Sequence, residues 1–370
     1  MIDKVKLMAM YLPQYHEIPE NNEFWGQGFT DWTTVKAAKQ YFHKNLQPKE
    51  PMNDNYYDLS KIENIKWQVK IAKEYGIDGF CFYHYWFSSK KNILQKPAEL
   101  FLADKSLDVS FCFAWDNASW KRTWSKDFGN DWAPLYDNKN LDKGKKILIQ
   151  FDYEDEDAWE KHFYYLLQFF KDERYIKIQN KPVFLFWNKY QIETQTKMLA
   201  YWNKLAIDNG FDGIFFIGKY NKKNLTPIFN SEFYYEPALS AWEENSFFSK
   251  ALVKSQRILT KACYPRVYSY RRTWQDLIRR AKKSKDKNVF YGAFVSYDDT
   301  PRRGANGKIL NGKNARIFKK GIEKLVDISK KHNKEIIFLT AWNEWGEGAF
   351  LEPDKENGFE YLNSIKNILK

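Results

Sequence analysis

Eight short apolar runs recur along the 370-residue chain, at 6–12, 79–86, 109–115, 182–187, 213–217, 232–236, 289–296 and 335–341. Within each run apolar residues follow one another with little polar alternation, as expected of parallel strands covered on both faces. Longer stretches lie between most of them, with apolar positions returning every three or four residues, clearest at 62–75, 157–170, 196–209 and 316–332. That period belongs to an amphipathic helix with one buried face. Asn209-Gly210 ends the third of these with residue types that tolerate the left-handed turn after a helix. Strand-helix alternation with eight strands predicts an α/β fold, a closed (β/α)8 TIM barrel built as one domain from residues 1–370. A doubly wound sheet is the competing arrangement, but the chain offers none of its glycine-rich phosphate turn.

The residues at and just after these strands share a polar-aromatic composition. They read Leu12-Pro13-Gln14-Tyr15-His16, Tyr83-His84-Tyr85-Trp86, Trp115-Asp116-Asn117, Trp187-Asn188, Tyr235-Glu236-Pro237, Tyr297-Asp298-Asp299 and Trp342-Asn343-Glu344-Trp345. In a barrel these ends converge on one rim, where barrel enzymes keep their active sites. Aromatic rings beside amides and carboxyls suit a carbohydrate, whose C–H faces stack on rings while its hydroxyls need donors and acceptors. Any single ring is as readily explained by packing between barrel and helices. Their concentration at strand ends is what favours a site.

The sharpest chemistry lies after the last strand, in Thr340-Ala341-Trp342-Asn343-Glu344-Trp345-Gly346-Glu347-Gly348. Two glutamates three residues apart on a strand-to-loop turn can place both carboxyls in one cleft. Cleavage of a glycosidic bond needs a protonated acid for the leaving oxygen and an ionised base or nucleophile. Two carboxyls held close resist joint ionisation, so one is expected to keep its proton, and the pair titrates as a unit. Gly346 and Gly348 let the backbone turn sharply here. A loop anchored by two hydrogen-bonded glutamates is the alternative.

Several blocks resemble the WbsX-type family of bacterial polysaccharide-biosynthesis proteins, also described as glycoside hydrolase family 99-like. They are Tyr11-Leu12-Pro13-Gln14-Tyr15-His16, Trp25-Gly26-Gln27-Gly28-Phe29-Thr30-Asp31-Trp32, Tyr57-Asp58-Leu59, Phe82-Tyr83-His84-Tyr85-Trp86-Phe87, Thr300-Pro301-Arg302-Arg303 and Ala341-Trp342-Asn343-Glu344-Trp345-Gly346-Glu347-Gly348. The resemblance runs from about residue 10 to 353. It implies a retaining glycosidase or transglycosidase of surface-polysaccharide metabolism, acting on an α-manno-configured glycan. In the family 99 mechanism Glu344 would deprotonate the sugar 2-hydroxyl, which attacks the anomeric carbon. Glu347 would serve as acid for the leaving group and base for water. Rim and blocks together nominate Tyr11, Gln14, Tyr15, His16, Trp25, Trp32, His84, Tyr85, Trp86, Trp115, Asn117, Trp120, Glu236, Asp298, Asn343 and Trp345 as substrate contacts. Two blocks depart from the family pattern. Trp115-Asp116-Asn117-Ala118-Ser119-Trp120 stands for Trp-Ala-Asn-Glu-x-Trp, and Tyr297-Asp298-Asp299-Thr300 for Trp-Asp-Asn-Thr, which puts the substrate's identity in question more than the reaction.

Composition narrows the partners. Between residues 250 and 287 thirteen Lys and Arg face only Asp276 and Asp286, so nearly all of the formal +12 charge lies there. With Phe247, Phe248, Leu252, Val253, Ile258 and Leu259 interspersed, segment 247–287 forms a basic insertion between strands six and seven. It suits an anionic membrane surface bearing lipid-linked glycans, or an acidic polysaccharide, and equally a solvated helix face. No nucleic-acid motif accompanies the charge. Five histidines without ligand spacing and three scattered cysteines lead us to expect neither metal nor cofactor, and a reducing, cytoplasmic location. Residues 1–15 show no secretion signal. Asp155-Glu156-Asp157 resembles the metal motif of nucleotide-sugar transferases, the competing function, but its place before a helical run favours capping. A glycan-binding barrel without catalysis is the third reading.

Overall fold

Parallel strands can close on themselves when each is apolar enough to be covered by side chains inside and helices outside. The computed structural model describes residues 4–43, 45–121, 132–136, 147–222, 227–244, 247–261, 263–285, 287–366 and 368. Its central strands are β1 (Lys6–Tyr11), β2 (Gly79–Ser88), β3 (Ser110–Trp115), β4 (Lys181–Phe186), β5 (Phe215–Lys219), β6 (Ser231–Phe233), β7 (Val289–Phe294) and β8 (Ile336–Thr340). Each pairs in parallel with the next, and β8 pairs back onto β1. The expected (β/α)8 barrel is therefore closed. Around and above it lie α1 (Pro19–Trp25), α2 (Asp31–Lys36), α3 (Ile62–Glu74), α4 (Lys96–Ala103), α5 (Glu156–Phe170), α6 (Ile192–Asp208), α7 (Phe247–Leu259), α8 (Tyr270–Lys283), α9 (Thr300–Arg303), α10 (Ala315–Lys331) and α11 (Glu360–Lys366).

Helix starts follow local chemistry. The Asp155 carboxylate accepts from the Ala158 amide at 3.1 Å, so this acid caps α5. The Asn314 side chain caps α10 in the same way. No helix among the described residues is long and apolar enough to cross a membrane.

Side chains along a strand alternate between barrel interior and helix layer, and that alternation sorts the rim aromatics. On β2, Phe80 and Phe82 pack on Tyr11 beneath the helices, whereas Tyr83 meets Trp187 and Tyr85 meets Trp120 above the barrel mouth. His84 and Trp86 share the outward phase. His84 Nε2 lies 2.8 Å from Nε2 of His162 on α5, and Trp86 stacks flat on that second imidazole. On β3, Phe113 packs on Phe169 and Trp115 on Trp202, both outside the barrel. The expectation that Tyr11, His84, Trp86 and Trp115 touch substrate is thus corrected: strand phase turns them into the layer between barrel and helices.

The basic insertion is α7, a strand at Arg266–Ser269 and α8. That strand pairs with Lys308–Asn311, and Trp274 of α8 stacks on Phe294 of β7. On α7, Gln256 and Arg257 bind neighbouring backbone, while Leu252, Ile258 and Leu259 are 65%, 68% and 84% exposed. Asp286 and the side chains of Phe247 and Phe248 lie outside the described residues.

Burial holds both paired imidazoles neutral, with His84 pushed down to about 3 and His162 well below the usual histidine range. Their contribution to stability is complete above the unfolded-state pKa of about 6.5 and falls as pH drops below it, by about 1.4 kcal/mol per pH unit for each imidazole. Buried carboxyls with raised pKa act in the opposite sense, so a comparison between variants isolates the pair. His84→Phe is expected to flatten the dependence of urea-unfolding free energy on pH between 6 and 4 by about that slope. Parallel curves for wild type and variant would contradict it.

Candidate active site

The site grows from the end of β8. The Trp342 amide bonds to the Met10 carbonyl at 2.8 Å, extending the β8–β1 pairing. Asn343 then clamps the backbone of Leu12 with both ends of its amide, at 2.7 and 2.9 Å. Asn343–Glu344 pairs antiparallel with Ala349–Phe350, so Glu344 ends the first strand of this hairpin and Glu347 closes the one-turn bend Trp345–Glu347 between them. Gly348 sits at φ +55°, in the left-handed region. Gly346 is needed for a different reason: a Cβ there would lie 2.5 Å from Arg302 Nε and 2.6 Å from the Asp31 carboxylate.

Those neighbours organise the pair. Arg302, from α9 after β7, is buried. Its Nε and Nη2 donate to the two Asp31 oxygens, Nη2 also to Glu344 Oε2, and Nη1 to Glu347 Oε1, all at 3.1 Å. Asp31 opens α2, so one guanidinium joins the loops after β1, β7 and β8. The Asp31 carboxylate further accepts from the Gly346 amide and the Tyr15 hydroxyl, each at 3.1 Å. Trp132 covers the guanidinium, with its ring 3.9 Å away. One cation cannot neutralise three carboxylates at once. Burial, together with Glu347 and Asp31, pushes Glu344 far above the ordinary carboxylate range, and Arg302 pulls it part of the way back. The Glu347 side chain is 20% exposed against 5% for Glu344, so it is Glu347 that faces the cleft.

Around the pair stand Tyr83 and Tyr85 from β2, Trp187 after β4, Lys219 at the end of β5, Tyr235 after β6 and Tyr297 after β7. Trp187 meets Tyr83 at 5.4 Å and Tyr235 at 4.7 Å between ring centroids. Burial raises the hydroxyl pKa of Tyr83 and Tyr235, and the charges of Glu344 and Glu347 add to it. Trp25 and Trp120 gather at the outer mouth with Phe29 and Trp132. Gln14 is sealed nearby, with neither end of its amide finding a protein partner. On the far side of Trp187 and Lys219, a cavity of about 450 Å³ opens toward Tyr220, Leu239 and Glu243.

Of the expected contacts, Glu344, Glu347, Tyr85, Trp25, Trp120 and Gln14 come together here. Others hold the frame. Tyr15 and Trp345 support the turn, through the Tyr15 hydroxyl on the Asn343 carbonyl and the Trp345 indole on Glu352. Trp32 bonds to the Tyr57 carbonyl. Asn117 ties Tyr153 and the Asn188 backbone together and has no amide group to spare. Asp298 is consumed by Asn45, Gln47 and Thr300, and its own amide bonds to the Glu347 carbonyl. Glu236 accepts two bonds from Ser240. His16, its pKa lowered by burial, sits under the charges of Asp58 and Lys96 rather than beside Glu347. By these contacts Asn117, Glu236, Asp298, Asn343, Trp32, Tyr15, Trp345 and His16 frame the site. Asp31 and Arg302 were inside recognisable blocks with no role read from them. Lys219 carried no signal.

Comparison with known proteins follows this geometry. The profile of the family described as glycosyltransferase WbsX matches residues 7–365. Two curated relatives from Xanthomonas campestris pv. campestris, strains B100 and ATCC 33913, are both described as uncharacterized protein WxcX. Each is 27% identical over 98% of this chain, which spans about half, 49%, of their length. A glycoside hydrolase family 99 endo-alpha-mannosidase from Bacteroides thetaiotaomicron, in complex with bis-tris-propane, matches with a TM-score of 0.60 at 13% identity, over 98% of this chain and 95% of that one. A glycoside hydrolase-like protein gives 0.58 at 12% identity over 100% and 95%. At such identities the likeness is one of fold.

Arg302→Gln leaves three carboxyls without their cation. Breaking a buried ion pair from one side costs about 3–5 kcal/mol, so the unfolding free energy is expected to fall by that order. Carbon-13 titration of the glutamate carboxyls should show Glu344 moving further up. An unchanged Glu344 titration would refute the bridging role.

Proposed function

Because the chain belongs to the family described as glycosyltransferase WbsX, we propose that it breaks or transfers a glycosidic bond of a surface polysaccharide or its precursor. Glu344 and Glu347 carry the reaction. The observation behind this reading is the pair itself: two carboxyls on one hairpin at the barrel mouth, bridged by a buried guanidinium and ringed by aromatics. In the retaining mechanism suggested by the family 99 resemblance, Glu344 takes the proton of the sugar 2-hydroxyl as that oxygen closes on the anomeric carbon. A carboxylate with a raised pKa is the stronger base toward a hydroxyl. Glu347, the more exposed of the two, protonates the leaving oxygen and then deprotonates water or an acceptor hydroxyl. The walls of Tyr83, Trp187 and Tyr235, which meet edge to face, offer ring faces that suit the pyranose faces of a manno-configured glycan.

The family's description favours transfer, and the same pair serves it when a sugar hydroxyl replaces water. A metal-dependent nucleotide-sugar transfer through Asp155 has less support, since Asp155 caps α5. Three free cysteines suit a reducing, cytoplasmic setting. The outward face of α7, with Leu252, Ile258 and Leu259 among exposed Lys250, Lys254 and Lys261, suits the surface of an anionic membrane where lipid-linked glycans are built.

Two measurements bear on this. Glu344→Gln is expected to lose turnover on every substrate, by about a hundred- to ten-thousand-fold. Glu347→Gln should lose it on glycans but keep much of it on a glycosyl fluoride, whose leaving group needs less protonation. Since the reaction needs Glu344 ionised and Glu347 protonated, the shared proton must pass from Glu344 to Glu347, and wild-type turnover should follow a bell in pH with its acid limb above the usual carboxylate range. Undiminished glycan turnover in either variant would sink the assignment. For the basic face, flotation should show binding to phosphatidylglycerol vesicles and not to phosphatidylcholine. Serine at 252, 258 and 259 is expected to weaken that binding about tenfold. Equal flotation on both vesicles would argue against this face.

A further inference from the structure

Lys219 ends β5 and reaches into the cleft between two rings, its Nζ 4.8 Å from the centroid of Trp187 and 5.0 Å from that of Tyr235. No carboxylate pairs with it at ion-pair distance among the described residues, although it is withdrawn from solvent far enough for burial to lower its pKa. Its nearest fields are those of Glu243, Asp116 and Glu347, which place the ammonium within electrostatic reach of the proposed acid. The other cations of this corner are engaged or outside. Lys189 bonds Glu232 at 2.7 Å, Arg280 pairs with Glu244, and Lys222 is exposed. The cavity of about 450 Å³ is lined by Lys219, Trp187, Asn188, Tyr220 and Glu243. A half-buried ammonium with no carboxylate at ion-pair distance gains when a ligand supplies one. It is also most selective there, because a charge-assisted bond is stronger out of water.

We propose that Lys219, Trp187 and Tyr235 form a subsite adjoining Glu347 that takes a singly charged anionic substituent of the glycan, a uronate carboxylate or a phosphodiester. Trp187 stacks on the sugar that carries it, and Lys219 donates to its oxygens. Glu243, on the same cavity, opposes a second negative charge and so disfavours a phosphomonoester. The subsite rests on the glycan reading above.

Calorimetry on the full chain with matched ligand pairs tests it. One pair is an oligomannuronate and its carboxyl-reduced oligomannoside. The other is an oligomannoside carrying a methyl phosphodiester and the same oligomannoside with a free hydroxyl in its place. At low salt the charged member of at least one pair is expected to bind about tenfold tighter, as one charge-assisted hydrogen bond gives. Which pair shows the gap identifies carboxylate or phosphodiester. Lys219→Met should erase the gap without changing the neutral member's affinity, and Lys219→Arg should keep part of it. Equal affinities within both pairs, or equal weakening of both members by Lys219→Met, would overturn the subsite and leave the glycan reading standing. No binding by any of the four glycans would overturn both.

Discussion

One guanidinium, sealed between three carboxyls, is the interaction on which the rest of the site depends. Arg302 reaches Asp31 from the first loop and both glutamates from the last, so three loops far apart in sequence share one cation. Each loop supplies a charge that would be unfavourable where it lies if the others were absent. The same shortage of positive charge keeps a proton on the cluster, and burial directs that proton toward Glu344. Shape and acidity are set by one set of contacts here, and neither can be altered alone.

The framing residues show how such a cluster is held. A barrel mouth is a ring of chain ends, and every strand that stops there leaves backbone groups to satisfy. Asn343 answers those of Leu12, Asn117 those of Asn188, and Asp298 those of Thr300. Polar residues at strand ends therefore serve the scaffold first. The rings left over, on Tyr83, Tyr85, Trp187 and Tyr235, are those that the scaffold does not consume.

This division explains what could be read from the chain. The eight strands were legible because both faces are apolar, and 79–86 falls within Gly79–Ser88. The helices were legible by period, with 316–332 against Ala315–Lys331. Strand six came out shorter than 232–236, because Glu236 leaves the sheet to bind Ser240. Within a strand, the phase that turns Tyr83 and Tyr85 inward and His84 outward depends on barrel register, and a wholly aromatic run hides it. Asp31 and Arg302 were opaque for another reason. A buried charge has the same letter as a solvated one, and only the partners that neutralise it, 271 residues apart, reveal it.

The clamp of Asn343 on Leu12 joins residues 331 positions apart. The hairpin that bears both glutamates is anchored on the first strand of the chain, so its place is undefined until the first strand and the eighth have met. Nothing assembled from the early strands alone contains the carboxyl pair. Loop-closure entropy makes such a contact one of the slower to form. Placement of the carboxyl pair in this protein is then a report of ring closure. A chain still emerging from the ribosome, however well its first half is folded, carries Tyr83 and Tyr85 long before it carries the two glutamates.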